Sequence, residues 1–173
     1  MKSSIFVFLF SAVVFATSYS QVKEASQNIK QEAGKMGQAF IVGDYTTFAN
    51  YTYPKLLAAM GGANKMAATL TKVTNDMKLK GMSFNAITFD EPSKIVKSGK
   101  ELQATIAQHT DIKVPDGRAV TTSTLIAIST DNGINWTFVD TSNKNIAALR
   151  KAMPNLSTAI TIPPQQPPVH YNL

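Results

Sequence analysis

From Val22 onward, apolar residues recur every three or four positions, at Val22, Ala25, Ile29, Ala33, Met36 and Phe40. Lys, Gln and Glu fill the positions between them, and this spacing predicts an amphipathic helix with one buried stripe. Gly34 and Gly37 each weaken it by about 1 kcal/mol relative to alanine, so its middle needs packing support. Gly43 is placed to end the helix and Asp44 to cap the next. Asp44 to Met60 reads as a second helical stretch with a break. Tyr53 precedes Pro54 and is pushed out of the helical region, whereas Pro54 suits the first turn of a new helix. The expected pieces are a short helix to Asn50 and another over Pro54–Met60, stopped at Gly61-Gly62. Met66, Leu70, Val73 and Met77 form the stripe of a third helix, closed by Gly81.

At Met82 the period changes. Ser83–Phe89, with Phe84, Ile87 and Phe89, suits a strand, and after Pro92 a short run follows at Lys94–Lys97. Leu102, Ala104, Ile106, Ile112 and Val114 share one face of a long strand. Gln103, Thr105, Ala107, His109, Asp111 and Lys113 take the other face. Pro115-Asp116-Gly117 is a turn leading into a second long strand, Arg118–Thr130, rich in β-branched residues. Asp131-Asn132-Gly133 turns the chain back into Ile134–Asp140, giving a meander of four to five antiparallel strands. Ser142 or Asn143 is placed to cap a short helix, Asn145–Met153, stopped by Pro154. The prolines of Ile162–Val169 hold that stretch extended along the surface. Helices first and an antiparallel sheet afterwards is an α+β order. One domain is expected over residues 21–153, with a Pro-rich extended tail over 154–173.

Residues 1–20 read as a signal peptide. Lys2 supplies the positive start, Ile5 to Ala16 is apolar apart from Ser11, and Ser18 and Ser20 set a cleavage site before Gln21. Twelve residues at 1.5 Å each fall well short of a hydrocarbon core of about 30 Å, which argues against a membrane span. The expected location is secreted or periplasmic. The chain has no cysteine, which excludes disulfide scaffolds, thiol catalysis and Cys-based metal sites. An exported chain without cysteine fits a bacterial source better than a eukaryotic one. Asn50, Asn135 and Asn155 stand in glycosylation sequons, meaningful only where the source modifies them.

The net charge is +6, but the basic residues are scattered. Lys94, Lys97 and Lys100 are the densest cluster and no aromatic residue interleaves them, so nucleic-acid binding is not expected. With two histidines, a metal cage is not expected either. There is no phosphate loop, dinucleotide fingerprint, nucleophile elbow or zincin motif, and no cofactor is implied.

Several short motifs, in this order of elements, carry a resemblance. They are Gly43-Asp44-Tyr45, Tyr53-Pro54-Lys55, Met60-Gly61-Gly62 and the hairpin strands ending in Asn135-Trp136-Thr137-Phe138. Over residues 22–140 the chain resembles the nuclear transport factor 2-like superfamily, a cone-shaped, cystatin-like α+β fold. That resemblance implies three N-terminal helices packed on a curved sheet, a pocket between them, and dimerisation through the sheet. Its catalytic relatives include ketosteroid isomerase and scytalone dehydratase, whose site residues have no matching motifs here.

Ser129-Thr-Asp131-Asn-Gly133-Ile-Asn-Trp136 resembles the Asp-box hairpin of sialidases, with Asn135 in place of the usual threonine. A single copy in a short chain reads as a structural turn, not as a propeller blade. His109 and Asp111 share one strand face and could act as a base with its orienting carboxylate, or lie in solvent or at a dimer contact. Asp140 ends the row Ile134, Trp136, Phe138; it is a pocket carboxylate with a raised pKa, or a solvated cap. Tyr45 and Tyr51, with Tyr53, bring phenols to the pocket mouth or close the core. Phe84, Phe89, Trp136 and Phe138 are expected at the core or pocket wall. His170 lies in the tail and is given no role.

These residues favour a non-catalytic module that binds a small apolar ligand or a protein. The alternative is a small lyase or isomerase using Asp140 or the His109–Asp111 pair. A purely structural homodimer packed through the sheet is the third reading.

Overall fold

The computed structural model describes the backbone of residues 10–142 and 144–172 and the side chains from Lys23 onward. The described chain is α+β, with five helices and six strands. Lys2 and the start of the expected leader lie outside the described residues; Ser20 and Gln21 fall within helix α1 (Phe10–Val42). No described helix is long and apolar enough to cross a membrane.

Ala25, Ile29, Ala33 and Met36 form the buried stripe of α1, as the periodicity predicts. The two glycines differ in role. Gly34 faces open space, whereas a Cβ at Gly37 would stand 3.0 Å from Phe89 and 3.2 Å from Ile87. Gly37 is the close crossing of α1 over the sheet. Gly43, at φ +82°, ends the helix in a conformation glycine adopts without strain. Asp44 then caps α2 (Tyr45–Asn50), its carboxylate accepting the Thr47 N–H at 3.0 Å. That bond holds the Asp44 carboxyl below its ordinary range.

The break at Pro54 separates α2 from α3 (Pro54–Ala59), and α4 (Gly62–Leu79) follows. Four helices thus precede the sheet where three were expected, because the second is fully split. Main-chain bonds sew the break to the sheet: Tyr53 N–H donates to Phe138 O (3.0 Å) and Phe138 N–H to Tyr51 O (2.7 Å).

The sheet is built on one long hairpin, β3 (Glu101–Val114) with β4 (Gly117–Ser129), paired from Leu102↔Ser129 to Val114↔Gly117. Each outer edge carries a broken strand. On β3 lie β1 (Ser83–Phe89) and β2 (Val96–Ser98), interrupted around Pro92. On β4 lie β5 (Thr137–Asp140) and β6 (Val169–Asn172), with Thr121–Thr124 between their pairing segments. The expected four to five strands become six because Val169–Asn172, expected in an extended tail, pairs with β4. A register shift between Phe84 and Ala86 breaks strict alternation, bringing Phe84, Ile87 and Phe89 to the helix side.

Both sheet faces are covered. Ala104, Ile106, Leu125, Ala127, Trp136 and Phe138 pack under α1. On the second face, Ile126, Ile128 and Val139 pack under Leu149 of α5 (Ile146–Ala152) and under Met153, Leu156 and Ile160. The unbroken apolar run Leu125-Ile126-Ala127-Ile128 is what two-faced burial demands. This corrects the polar-face expectation at Gln103, which is 1% exposed; Glu101, the first residue of β3, is 7% exposed. The Gln103 amide donates to Asn155 O (3.0 Å) and to Glu101 (2.8 Å), and accepts Ser157 N–H (2.9 Å). It binds the returning chain through polar groups that would otherwise be buried without partners. Asn145 caps α5 by accepting Ala148 N–H at 2.8 Å, in place of the expected Ser142 or Asn143; Asn143 lies outside the described residues. Leu156 and Ile160 are buried, and Val169–Asn172 pairs with β4 after an exposed proline run. The expected surface tail therefore holds two core residues and one strand of the sheet.

Candidate functional site

A cavity of about 380 Å³ lies between the helices and the first sheet face. Met36 and Phe40 of α1 and Phe48 of α2 form one wall. Leu56, Met66 and Leu70, from α3 and α4, form another. Phe84, Ile87, Leu125 and Phe138 rise from the sheet. Phe40 meets Phe48 and Phe84 edge-on, with ring centroids 5.2 and 4.8 Å apart, so the aromatic wall is mutually braced. Methionines supply the adjustable part of the lining.

Polar groups are few. Gln108 donates to Thr110 at 3.3 Å on the sheet, and the buried Thr52 hydroxyl has the Met66 sulfur at 3.5 Å. Asp140 and Lys144 are exposed and stand at the rim. The Asp140 carboxylate accepts Ser142 N–H at 2.7 Å, and the Lys144 ammonium donates to the Asp140 carbonyl at 3.1 Å. Volume and lining suit a small, mostly apolar molecule with one polar end.

Of the residues singled out from sequence, Phe84, Phe138 and Asp140 line this cavity. Tyr45 does not; its hydroxyl donates to Thr74 at 3.0 Å and clamps α2 to α4. Tyr51 packs against the first core, where burial, then the charge of Glu32, push its phenol up. Phe89 fills the crossing at Gly37, and Trp136, 2% exposed, donates its indole N–H to Gly133 O at 3.1 Å. Ile134 is 68% exposed, because the turn extends to Trp136 before β5 begins.

The Asp-box-like stretch is a turn docked on α1. Asp131 accepts Asn135 N–H (2.9 Å), the Asn135 amide (2.7 Å) and the Ser129 hydroxyl (2.8 Å). Burial pushes the Asp131 carboxyl up, but the bonds from Asn135 and Ser129 outweigh it and hold the group below its ordinary range. Asn28 of α1 donates to Gly133 O at 3.2 Å.

His109 and Asp111 do not form a couple. His109 Nε2 lies 3.0 Å from Asp90 and Nδ1 lies 3.0 Å from the Thr122 hydroxyl. Asp111 pairs with Arg118 at 2.7 Å and accepts from Asn85 at 3.1 Å. His109 alternates with Gln108 and Thr110, which line the cavity, so it points to the opposite face. His170 lies in β6, opposite Ala119. Among the described residues no cluster of His, Asp or Glu is arranged to hold a metal ion.

The wall residues missed from sequence include Met36, Phe40, Met66 and Leu70, whose helical spacing is that of any core stripe, and Phe48, Leu56, Ile87 and Leu125. Lys144 carried no signal. No protein-family model, no curated protein and no solved structure matches this chain.

Proposed function

We propose that this chain is an exported, non-catalytic module of the nuclear transport factor 2-like kind that holds a small apolar molecule between its helices and sheet. One observation carries the reading: an apolar cavity of about 380 Å³ at that junction, large enough for a ligand. The order of elements, helices before an antiparallel sheet, supports the fold assignment. Lys2, the apolar run and Ser18-Tyr-Ser20 support export.

The test is titration of the full chain with N-phenyl-1-naphthylamine, a neutral apolar fluorophore. Saturable one-to-one binding is expected, and Leu70→Trp, which fills the cavity from a half-buried wall position, should abolish it in a chain that still folds. Binding unaffected by Leu70→Trp, or no binding, would sink the reading. Export is tested by N-terminal sequencing of protein recovered outside the cytoplasm, which should begin at Gln21.

The lyase or isomerase reading keeps one supporting observation, the position of Asp140 on the cavity rim. It needs Asp140→Asn to abolish proton exchange on a bound ketone while leaving its binding intact.

A further inference from the structure

We propose that the molecule held in the cavity is an anionic amphiphile, its acid head on Lys144 and its apolar chain between Met36 and Met66. This rests on the binding reading above and specifies the ligand class.

Lys144 is the one cation in the wall of the cavity between helices and sheet among the described residues. It also borders two further hollows, one of about 170 Å³ between α3 and α5 and one of about 490 Å³ on the second sheet face. The residue therefore stands where three spaces meet. Its ammonium is spent on a neutral acceptor, the Asp140 carbonyl, and it forms no ion pair with a described carboxylate. Two of its three N–H groups are left for a ligand.

The other charge at the rim is Asp140, and the two differ in what they can do. The Asp140 carboxylate sits on a short stem at the end of β5 and is bonded to the Ser142 N–H. The Lys144 ammonium rides on a flexible four-carbon stem and can follow a head group at the cavity mouth. The chain's charge of +6 favours the approach of anions over cations. Behind the rim the walls offer methionine and phenyl surface and few polar groups, which suits a tail. Leu56, shared with the 170 Å³ hollow, marks where a longer tail continues.

The experiment compares three twelve-carbon probes on the full chain by calorimetry: dodecanoate, dodecanol and dodecyltrimethylammonium. Dodecanoate should bind about tenfold tighter than dodecanol, the scale of a charge-assisted hydrogen bond, and the preference should shrink with salt. Lys144→Met should remove that preference, so that acid and alcohol bind alike; the side chain is exposed and outside every helix and strand, so folding is not at risk. Equal affinity for acid and alcohol, a preference that survives Lys144→Met, or tightest binding of the ammonium probe would each overturn the head-group assignment while leaving the cavity reading standing. Failure of all three probes to bind would overturn both.

Discussion

The Tyr53 hydroxyl donates a 3.1 Å hydrogen bond to Glu101, tying the break between α2 and α3 to the first residue of β3. Both residues are buried, and Gln103 shares the same carboxylate while gripping the chain at Asn155 and Ser157. One polar knot therefore joins the helical layer, the sheet and the C-terminal segment.

Burial, then Glu101, push the Tyr53 phenol from an ordinary 10.0 up to about 12. A raised folded-state pKa contributes stability that is complete below the unfolded value and disappears as pH rises through the folded one. Stability should fall between pH 10 and about 12 more steeply in the wild type than in Tyr53→Phe. At neutral pH the variant should lose about 1.5–3 kcal/mol in urea unfolding, the value of a hydrogen bond to a charged acceptor. Parallel alkaline slopes in the two proteins would show that the bond does not govern the transition.

The glycines of α1 give opposite expectations from the same substitution. Gly34→Ala meets nothing within 4 Å and should stabilise the helix by about 0.5–1 kcal/mol. Gly37→Ala places its methyl 3.0 Å from Phe89, so overpacking offsets the helical gain. Urea unfolding should rank Gly34→Ala above the wild type and Gly37→Ala at or below it. Equal gains at both positions would mean that α1 does not cross the sheet at Gly37.

The long hairpin was legible because its turn residues have one job: Pro115 and Gly117 satisfy backbone demands that few other residues can. The stripe of α1 was legible because periodicity reports burial directly, but in α4 the expected stripe residue Val73 is 46% exposed and its neighbour Thr74 is the buried one. What periodicity does not report is the partner. Met36 and Met66 on a cavity wall have the spacing of residues in a filled core. Gln103 read as part of a polar strand face because its type is polar, yet it is buried to bind main chain that arrives from about fifty residues away. Leu156 and Ile160 were hidden beside a proline run whose composition signals an extended tail. Phe138 was found because strand alternation and residue size agreed, and Phe84 by residue size alone, since the register shift beside it breaks alternation.

Gly117 is needed for more than the turn. At φ +147° a Cβ there would lie 2.0 Å from Tyr171 O, inside the pairing of β6. Gly117→Ala should evict Val169–Asn172, also breaking the stacking of Arg118 on Tyr171, whose ring centroid is 4.4 Å away. Hydrogen exchange should become fast at Tyr171, whose pairing is lost, while the amides of Ile106 and Ile126 stay protected. Retained protection of the C-terminal strand would show that the hairpin end can relax around a methyl group.

Thr52 tests how the cavity treats a polar wall group. The residue is 8% exposed, and among the described residues its hydroxyl has only the Met66 sulfur, at 3.5 Å, as a protein acceptor. Sulfur accepts weakly, so the hydroxyl recovers little of what it loses on leaving water. Thr52→Val keeps the branched shape and removes that cost, while the Thr52 N–H bond to Ala49 O remains. The variant should gain about 0.5–1 kcal/mol in urea unfolding, within the range for replacing a poorly paired buried polar group. It should also bind a neutral apolar probe more tightly, since the wall becomes more apolar at constant volume. A loss of stability of more than about 1 kcal/mol would point instead to a water molecule bonded to the hydroxyl inside the cavity. In that case Thr52 belongs to a polar subsite, and ligands carrying a hydrogen-bonding group at mid-length should outcompete plain hydrocarbon chains.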